Sequence, residues 1–310
     1  MKIAVVGAGG VGASFGAMLA QAGHEVSLLA RGSHLDAIRA NGLVVERAGE
    51  RRALKLAASD RAADLGKADV VLFAVKLWST EEAGAASRPL VGPDTMVLVL
   101  QNGVDGIARL SPILGSDRVV GGVAQISAVI DKPGHVVHRS PFARLVAGEP
   151  TGGLSDRVQT FVAACRAAGI EARASDDISL DLWTKFVFIV GLSGATSLFR
   201  APIGPILADT ETRTFLVRLV EECVAVGRAE GIGLPADQVD QALSFMTGLP
   251  PTMRASMLDD LERGRPIEMP WLSGHVVALG ERHGIDTPAN RTVELALKLH
   301  VDGRPAAPAT

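Results

Sequence analysis

The first twelve residues restrict the fold of this chain more than any other stretch. Lys2–Val6 reads as a strand, and it enters Gly7-Ala8-Gly9-Gly10-Val11-Gly12 with no linker. Residues 11–22 then read as a helix that ends at Gly23. The pattern G-x-G-x-x-G is weak alone, but between a strand and a helix it is the loop that cradles a dinucleotide pyrophosphate. Gly7 permits the tight turn, Gly9 lets the backbone approach the phosphates, and Gly12 lets helix pack closely on strand. The backbone from Ala8 through Gly10 and Val11 supplies the loop and the helix N-terminus, whose free N–H groups and dipole favour an anion.

The alternation of strand and helix continues. Residues 25–29 form a second strand, and Ser33 can cap a helix that stops near Gly42. Residues 69–75 (DVVLFAV) and 96–100 (MVLVL) are continuous apolar runs, as expected of strands buried on both faces of a parallel sheet. Lys132-Pro133-Gly134 reads as a turn between two strands, and a helix over 154–168 precedes a strand near 170–174. From Asp176 the texture is helical throughout: Ile178–Phe199, 210–230, 255–263 and 270–283, with a last helix starting at Thr287-Pro288, the threonine as its capping hydroxyl. At 310 residues the chain exceeds what one core of about 250–300 residues accommodates. The expected architecture is an α/β Rossmann-type N-terminal domain over 1–174 and an all-α C-terminal domain over 175–310. The Pro/Ala-rich tail from Gly303 is expected to be disordered.

Composition excludes several functions. A net charge of -3 offers no basic field for nucleic acid. Cys165 and Cys223 both lie in apolar helical patterns, so reduced core thiols are expected and no metal site. Residues 1–6 run straight into a strand without a basic segment before an apolar one, so no signal peptide is read. The most apolar run, 186–199, is too short to span a bilayer. A cytoplasmic protein with no membrane partner is expected.

The end of the second strand bears on the cofactor. NAD-binding folds carry an Asp or Glu there for the ribose 2′-hydroxyl. This chain has Leu28-Leu29-Ala30-Arg31, and Glu25 lies at the other end of the strand. Arg31 suits a 2′-phosphate, which points to NADP(H). A single cation, Lys185, stands among the large apolar residues of Trp183-Thr184-Lys185-Phe186-Val187-Phe188. A buried ammonium has a lowered pKa and can release its proton near neutrality, as reduction of a carbonyl requires; a lysine snorkelling to solvent is the alternative. Lys76 and Asn102-Gly103 follow the two buried strand runs, at the carboxyl ends where ligands bind in open parallel sheets.

Together these residues make the chain resemble ketopantoate reductases (2-dehydropantoate 2-reductases). The likeness rests on KIAVVGAGGVG, Arg31, FAVK ending at Lys76, QNG with Asn102, WTKF with Lys185, and Ser256-Met257-Leu258-Asp259 followed by Glu268. The resemblance implies a C-terminal domain like that of 6-phosphogluconate dehydrogenase, NADPH as cofactor, and reduction of a 2-oxo acid, 2-dehydropantoate to pantoate in the pantothenate pathway. It implies Lys185 as proton donor, Asn102 touching cofactor and substrate, Lys76 on the cofactor, Ser256 on the substrate acid and Glu268 beside the cofactor ribose. A homodimer is left open.

Four positions depart from the family pattern. Asparagines typical of the family are replaced by Ile189, Ser193, Ile203 and Met253. Ser193 keeps a short hydroxyl and stays with Asn102 and Ser256 among the substrate-binding candidates. Arg254 offers an alternative clamp for a carboxylate. Two other readings therefore stand: a dehydrogenase of the same fold for a more apolar oxo or hydroxy acid, and an NADP-binding redox sensor without turnover.

Overall fold

The computed structural model describes residues 1–303; the tail expected to be disordered beyond Gly303 lies outside the described residues. The chain forms two compact units, Met1–Leu182 and Trp183–Thr310. In the first, β1 (Lys2–Val6), α1 (Gly10–Gln21), β2 (Glu25–Leu29), α2 (Gly32–Asn41), β3 (Leu43–Arg47), β4 (Glu50–Leu54), β5 (Ala57–Ser59) and β6 (Val70–Phe73) are followed by α3 (Thr80–Ser87), β7 (Met96–Val99), α4 (Gly106–Leu114) and β8 (Val119–Gln125). β9 (Ala128–Lys132), β10 (His135–His138), β11 (Arg144–Gly148), α5 (Asp156–Ala167) and β12 (Glu171–Ser175) complete it. The helix α6 (Ile178–Phe199) begins there and carries the chain across the division.

The main sheet has the strand order β12-β11-β8-β7-β6-β1-β2-β5. Every pairing is parallel except β8 with β11. β6 and β7 are buried at every position, which explains why their sequences are apolar without alternation. On β1, Ile3 and Val5 join the core cluster that contains Phe15 and Leu19 of α1, while Ala4 and Val6 join the one that contains Val71, Phe73 and Leu110. Successive side chains on one strand thus feed two cores, as the strand period of two requires.

A second sheet, order β4-β3-β10-β9, packs against α1. Only its β9–β10 turn was expected from the sequence. Ala48 and Gly49, both at positive φ, close the β3–β4 hairpin, the conformation of a tight two-residue turn. The Ala-Gly pair between Glu46-Arg47 and Glu50-Arg51 was the available signal; the charge of β4, exposed along most of its length, hid it.

Three expectations need correction. Ser33 does not cap α2: the chain turns at Gly32 (φ 60), Arg31 takes the N-cap position, and Ser33 falls inside the first turn. The apolar segment is longer than residues 186–199, since α6 has 22 residues and is long and apolar enough to cross a membrane by length and composition. Most of its apolar window is nevertheless buried in the protein, which makes it a core helix. Thr287 makes no side-chain cap on the last helix.

The second unit is helical: α6 continues into α7 (Ile203–Ala208), α8 (Thr210–Ala229), α9 (Gln238–Thr247), α10 (Ser256–Glu262), α11 (Ser273–His283) and α12 (Pro288–Leu297). α7 and α9 escaped sequence reading. Glu222 of α8 supplies the cap that Thr287 does not. Its carboxylate accepts from the backbone N–H groups of Ala289 (2.7 Å) and Asn290 (2.9 Å) and from Asn290 Nδ2 (2.8 Å). A charged acceptor on the free donors of a helix start is favoured by their partial positive charge. Both cysteines are free and buried, and desolvation pushes the Cys165 thiol up to about 12.

Candidate active site

In the first unit the candidate residues gather where parallel strands end. The loop Gly7–Gly12 joins β1 to α1. Helix α1 has no side-chain cap and no acidic residue in its first turn, so nothing of its own neutralises its N-terminus. The glycines differ in the room around them. A Cβ on Gly12 would lie 2.3 Å from the Gly7 carbonyl oxygen, and one on Gly10 would lie 2.1 Å from that of Ala128 in β9. A Cβ on Gly9 would meet nothing within 4 Å. Glycine at 10 and 12 is required by the protein itself, whereas the space beside Gly9 is kept open.

His34 fixes this loop from outside. The Gly134 N–H donates to its Nδ1 (3.0 Å), so its proton sits on Nε2, which donates to the Ala8 carbonyl (2.9 Å). Burial lowers the His34 pKa, opposed by the bond to Ala8, and the neutral ring is the form that can accept from Gly134. Sequence reading missed this residue. One histidine in a helix start carries no local signal, and its partner Gly134 is 100 residues away.

Arg31 lies two residues past β2 and is exposed; its guanidinium lies 3.7 Å from Glu82, also exposed. Lys76 lies three residues past β6, its ammonium 5.5 Å from the centre of the Trp78 ring. Asn102 lies three residues past β7, before Gly103 at φ 87. A left-handed conformation there favours glycine.

In the second unit Lys185, Ile189 and Ser193 recur every four residues on α6, which places them on one face. Desolvation pulls the Lys185 pKa from the ordinary 10.5 down to about 8, while the charge of Glu268, itself 4% exposed, works in the opposite direction. Ser193 is 5% exposed, and Ser256 is an exposed residue opening α10. Arg254 is engaged by Asp259 (3.2 Å) and by Glu262, so its positive charge is already answered within the protein. The Ile203 N–H donates to the Met253 carbonyl (2.9 Å), which makes neighbours of two positions where the family pattern has amides. Ile203 is completely buried. On the flank of α6, Phe188 meets Phe245 of α9 edge to face at 4.7 Å.

Comparison with known proteins identifies the family and the fold. Residues 3–152 match the family described as ketopantoate reductase PanE/ApbA, and residues 177–300 match its C-terminal part. A 2-dehydropantoate 2-reductase of Mesorhizobium japonicum is 33% identical over 96% of this chain and 96% of its own length. The crystal structure of a PanE/ApbA family ketopantoate reductase from Ralstonia eutropha JMP134 superposes with a TM-score of 0.90 at 33% identity, covering 97% of this chain and 98% of that one. A D-mandelate dehydrogenase, in a ternary structure with NADH and anilino(oxo)acetate, shares the fold at a TM-score of 0.90 and 22% identity, covering 97% and 98%.

Proposed function

Because the chain belongs to the ketopantoate reductase PanE/ApbA family of nicotinamide-dependent oxidoreductases, we propose that it reduces a 2-oxo acid to the 2-hydroxy acid with NADPH. The observation that carries this reading is Lys185, half-buried on the α6 face it shares with Ile189 and Ser193, where desolvation lowers its pKa to about 8 and the charge of Glu268 opposes the shift. An ammonium of that acidity gives up a proton near neutral pH, and a pKa near the working pH is what general acid catalysis requires.

The glycine loop suits a dinucleotide: α1 has no capping group of its own, and the open space beside Gly9 is where a pyrophosphate would lie against the backbone. When bound, the reduced nicotinamide supplies the hydride that goes to the carbonyl carbon. Lys185 donates the proton that the carbonyl oxygen takes up, so one hydride and one proton convert C=O to CH–OH. Glu268 supports the charged form of that lysine. Asn102 orients the carbonyl, Ser256 holds the substrate acid, and Lys76 holds the cofactor.

Arg31, with no carboxylate at the end of β2, is the basis for preferring NADPH. Arg31→Ala is expected to weaken NADPH binding by about 1.5–3 kcal/mol, the range for hydrogen bonds to charged groups, and to leave NADH binding nearly unchanged. Equal losses for both dinucleotides, measured by fluorescence titration, would remove Arg31 as the group that reads the 2′-phosphate.

The substrate is either 2-dehydropantoate or a more apolar 2-oxo acid. The second reading is favoured by Ile189 on the Lys185 face and by the Ile203–Met253 pair, all apolar where the family pattern carries amides. A buried substrate hydroxyl without a partner costs about 1–3 kcal/mol, whereas apolar surface gains about 25 cal/mol per Å² on burial. The expected result is a higher kcat/KM for a 2-oxo acid with a bulky hydrocarbon side chain than for 2-dehydropantoate. Ile189→Asn with Ser193→Asn should shift the ratio back towards 2-dehydropantoate. A wild-type preference for 2-dehydropantoate over every apolar analogue would refute the apolar reading. Tight NADPH binding with no carbonyl compound reduced would instead favour a redox sensor.

A further inference from the structure

The residue before Asn102 belongs to a buried network with no part in the chemistry above. Backbone pairing between β6 and β7 runs out at Phe73 and Val99, and the Leu100 N–H makes the last ladder bond, to the Phe73 carbonyl (2.8 Å). Lys76 and Asn102 lie beyond that point, on turns whose carbonyls have left the sheet. There Gln101, 6% exposed, takes over. Its Nε2 donates to the Val75 carbonyl (3.1 Å) and to Thr80 Oγ1 (2.9 Å). Thr80 is fully buried, and its hydroxyl donates in turn to the Leu77 carbonyl (2.8 Å). Arg109 of α4 reaches the same carbonyl with Nη2 (2.8 Å) while Glu81 holds its guanidinium at 2.7 and 2.9 Å. The carbonyls on both sides of Lys76 are thus bound by donors, and one of those donors is the neighbour of Asn102. The orientation of the amide is not arbitrary, because the Val75 oxygen can only accept.

We propose that Gln101 and Thr80 are positioning residues that lock the Lys76 turn to the Asn102 turn and so fix the spacing of two groups that hold the cofactor. This rests on the cofactor roles given to Lys76 and Asn102 above. Among the described residues Gln101 Oε1 accepts no hydrogen bond, so the joining rests on the two bonds its Nε2 donates, one to each side of the Lys76 turn. It replaces the backbone ladder where the strands must part to leave room for a ligand. Neither side chain touches a reacting atom; both act through the turns they join.

The test compares wild type, Gln101→Met, Thr80→Val, Thr80→Ser and the Gln101→Met/Thr80→Val double variant. NADPH and NADH dissociation constants, kcat and KM, and melting temperature are measured for each. Thr80→Val keeps the shape and loses the hydroxyl, whereas Thr80→Ser keeps the hydroxyl. Gln101→Met and Thr80→Val are expected to weaken NADPH binding by about fivefold or more, the scale of one or two lost hydrogen bonds. Thr80→Ser stays within about twofold of wild type, and the double variant is no worse than the poorer single one, because both break the same network. The pH at which reduction declines, set by Lys185, does not move. If Gln101→Met does not fold, the Thr80 pair decides. Unchanged NADPH binding in Thr80→Val, or Thr80→Ser as impaired as Thr80→Val, overturns the positioning role alone. Wild-type protein that binds neither dinucleotide overturns the cofactor site and the positioning role together.

Discussion

Lys185→Ala is expected to lower turnover by at least about 10²-fold, the lower bound for a positioned general acid, while NADPH affinity stays within a few-fold of wild type. That pattern is the signature of an interaction used in the transition state and not in cofactor binding. Turnover that survives within a few-fold assigns the lysine a structural role and moves the proton donor elsewhere. The pH dependence gives a second reading of the same group. With a pKa of about 8, Lys185 is protonated below pH 8, so the rate of reduction is expected to fall as pH rises through that value. Oxidation of the hydroxy acid needs the neutral amine and rises through the same value. Glu268 supports the charged form, so Glu268→Gln moves both limbs to lower pH. Stability follows the same linkage. Between about 8 and 10.5 the unfolded chain binds a proton at this lysine that the folded chain does not. This group therefore makes the fold more stable as pH rises across that window and less stable below it.

Gly9→Ala is expected to weaken dinucleotide binding without unfolding the protein, whereas Gly10→Ala is expected to damage the fold. At Gly9 the backbone is extended (φ -73, ψ -170), a conformation alanine adopts freely. A Cβ there meets no protein atom within 4 Å and projects into the space assigned to the pyrophosphate. A methyl group there should cost at least about tenfold in NADPH affinity, or 1.4 kcal/mol, with the melting temperature within a degree or two of wild type. At Gly10 the added carbon would stand 2.1 Å from the Ala128 carbonyl oxygen. α1 or the second sheet must then shift, and overpacking of this kind costs about 1–3 kcal/mol, seen as a drop in melting temperature without any ligand. Undiminished NADPH binding by Gly9→Ala would mean that the dinucleotide does not approach this backbone.

The elements that carry the site were legible because each rests on a short-range pattern. β1, the glycine loop and α1 are one continuous signal of strand, turn and helix. β6 and β7 announced themselves as apolar runs, and α6 was read with its observed bounds because its helical texture is uninterrupted from Ile178 to Phe199. The second sheet was not legible: β4 is mostly exposed and charged, and β10, which pairs with β3, follows long after β3 in the chain. The helix α9 also went unread; its exposed Phe245 departs from the polar outer face that a surface helix usually shows.

The sequence alone determined the kind of protein: a parallel sheet with a dinucleotide loop, a helical second unit, and the types of side chain available for carbonyl reduction. Propensity, periodicity and turn chemistry act between residues a few positions apart, so one chain suffices to read them. Tertiary structure decided how those side chains behave. Whether Lys185 snorkels or is desolvated depends on what surrounds it, and Glu268, which opposes its neutralisation, comes from a distant part of the chain. The tautomer of His34 is set by an N–H 100 residues away, and Gln101 finds its hydroxyl partner 21 residues back. Arg254, a free cation in the sequence, is claimed by Asp259 and Glu262 once α10 has formed. Acidity, hydrogen-bond partnership and available space are properties of a residue's surroundings, and those exist only after the chain has folded.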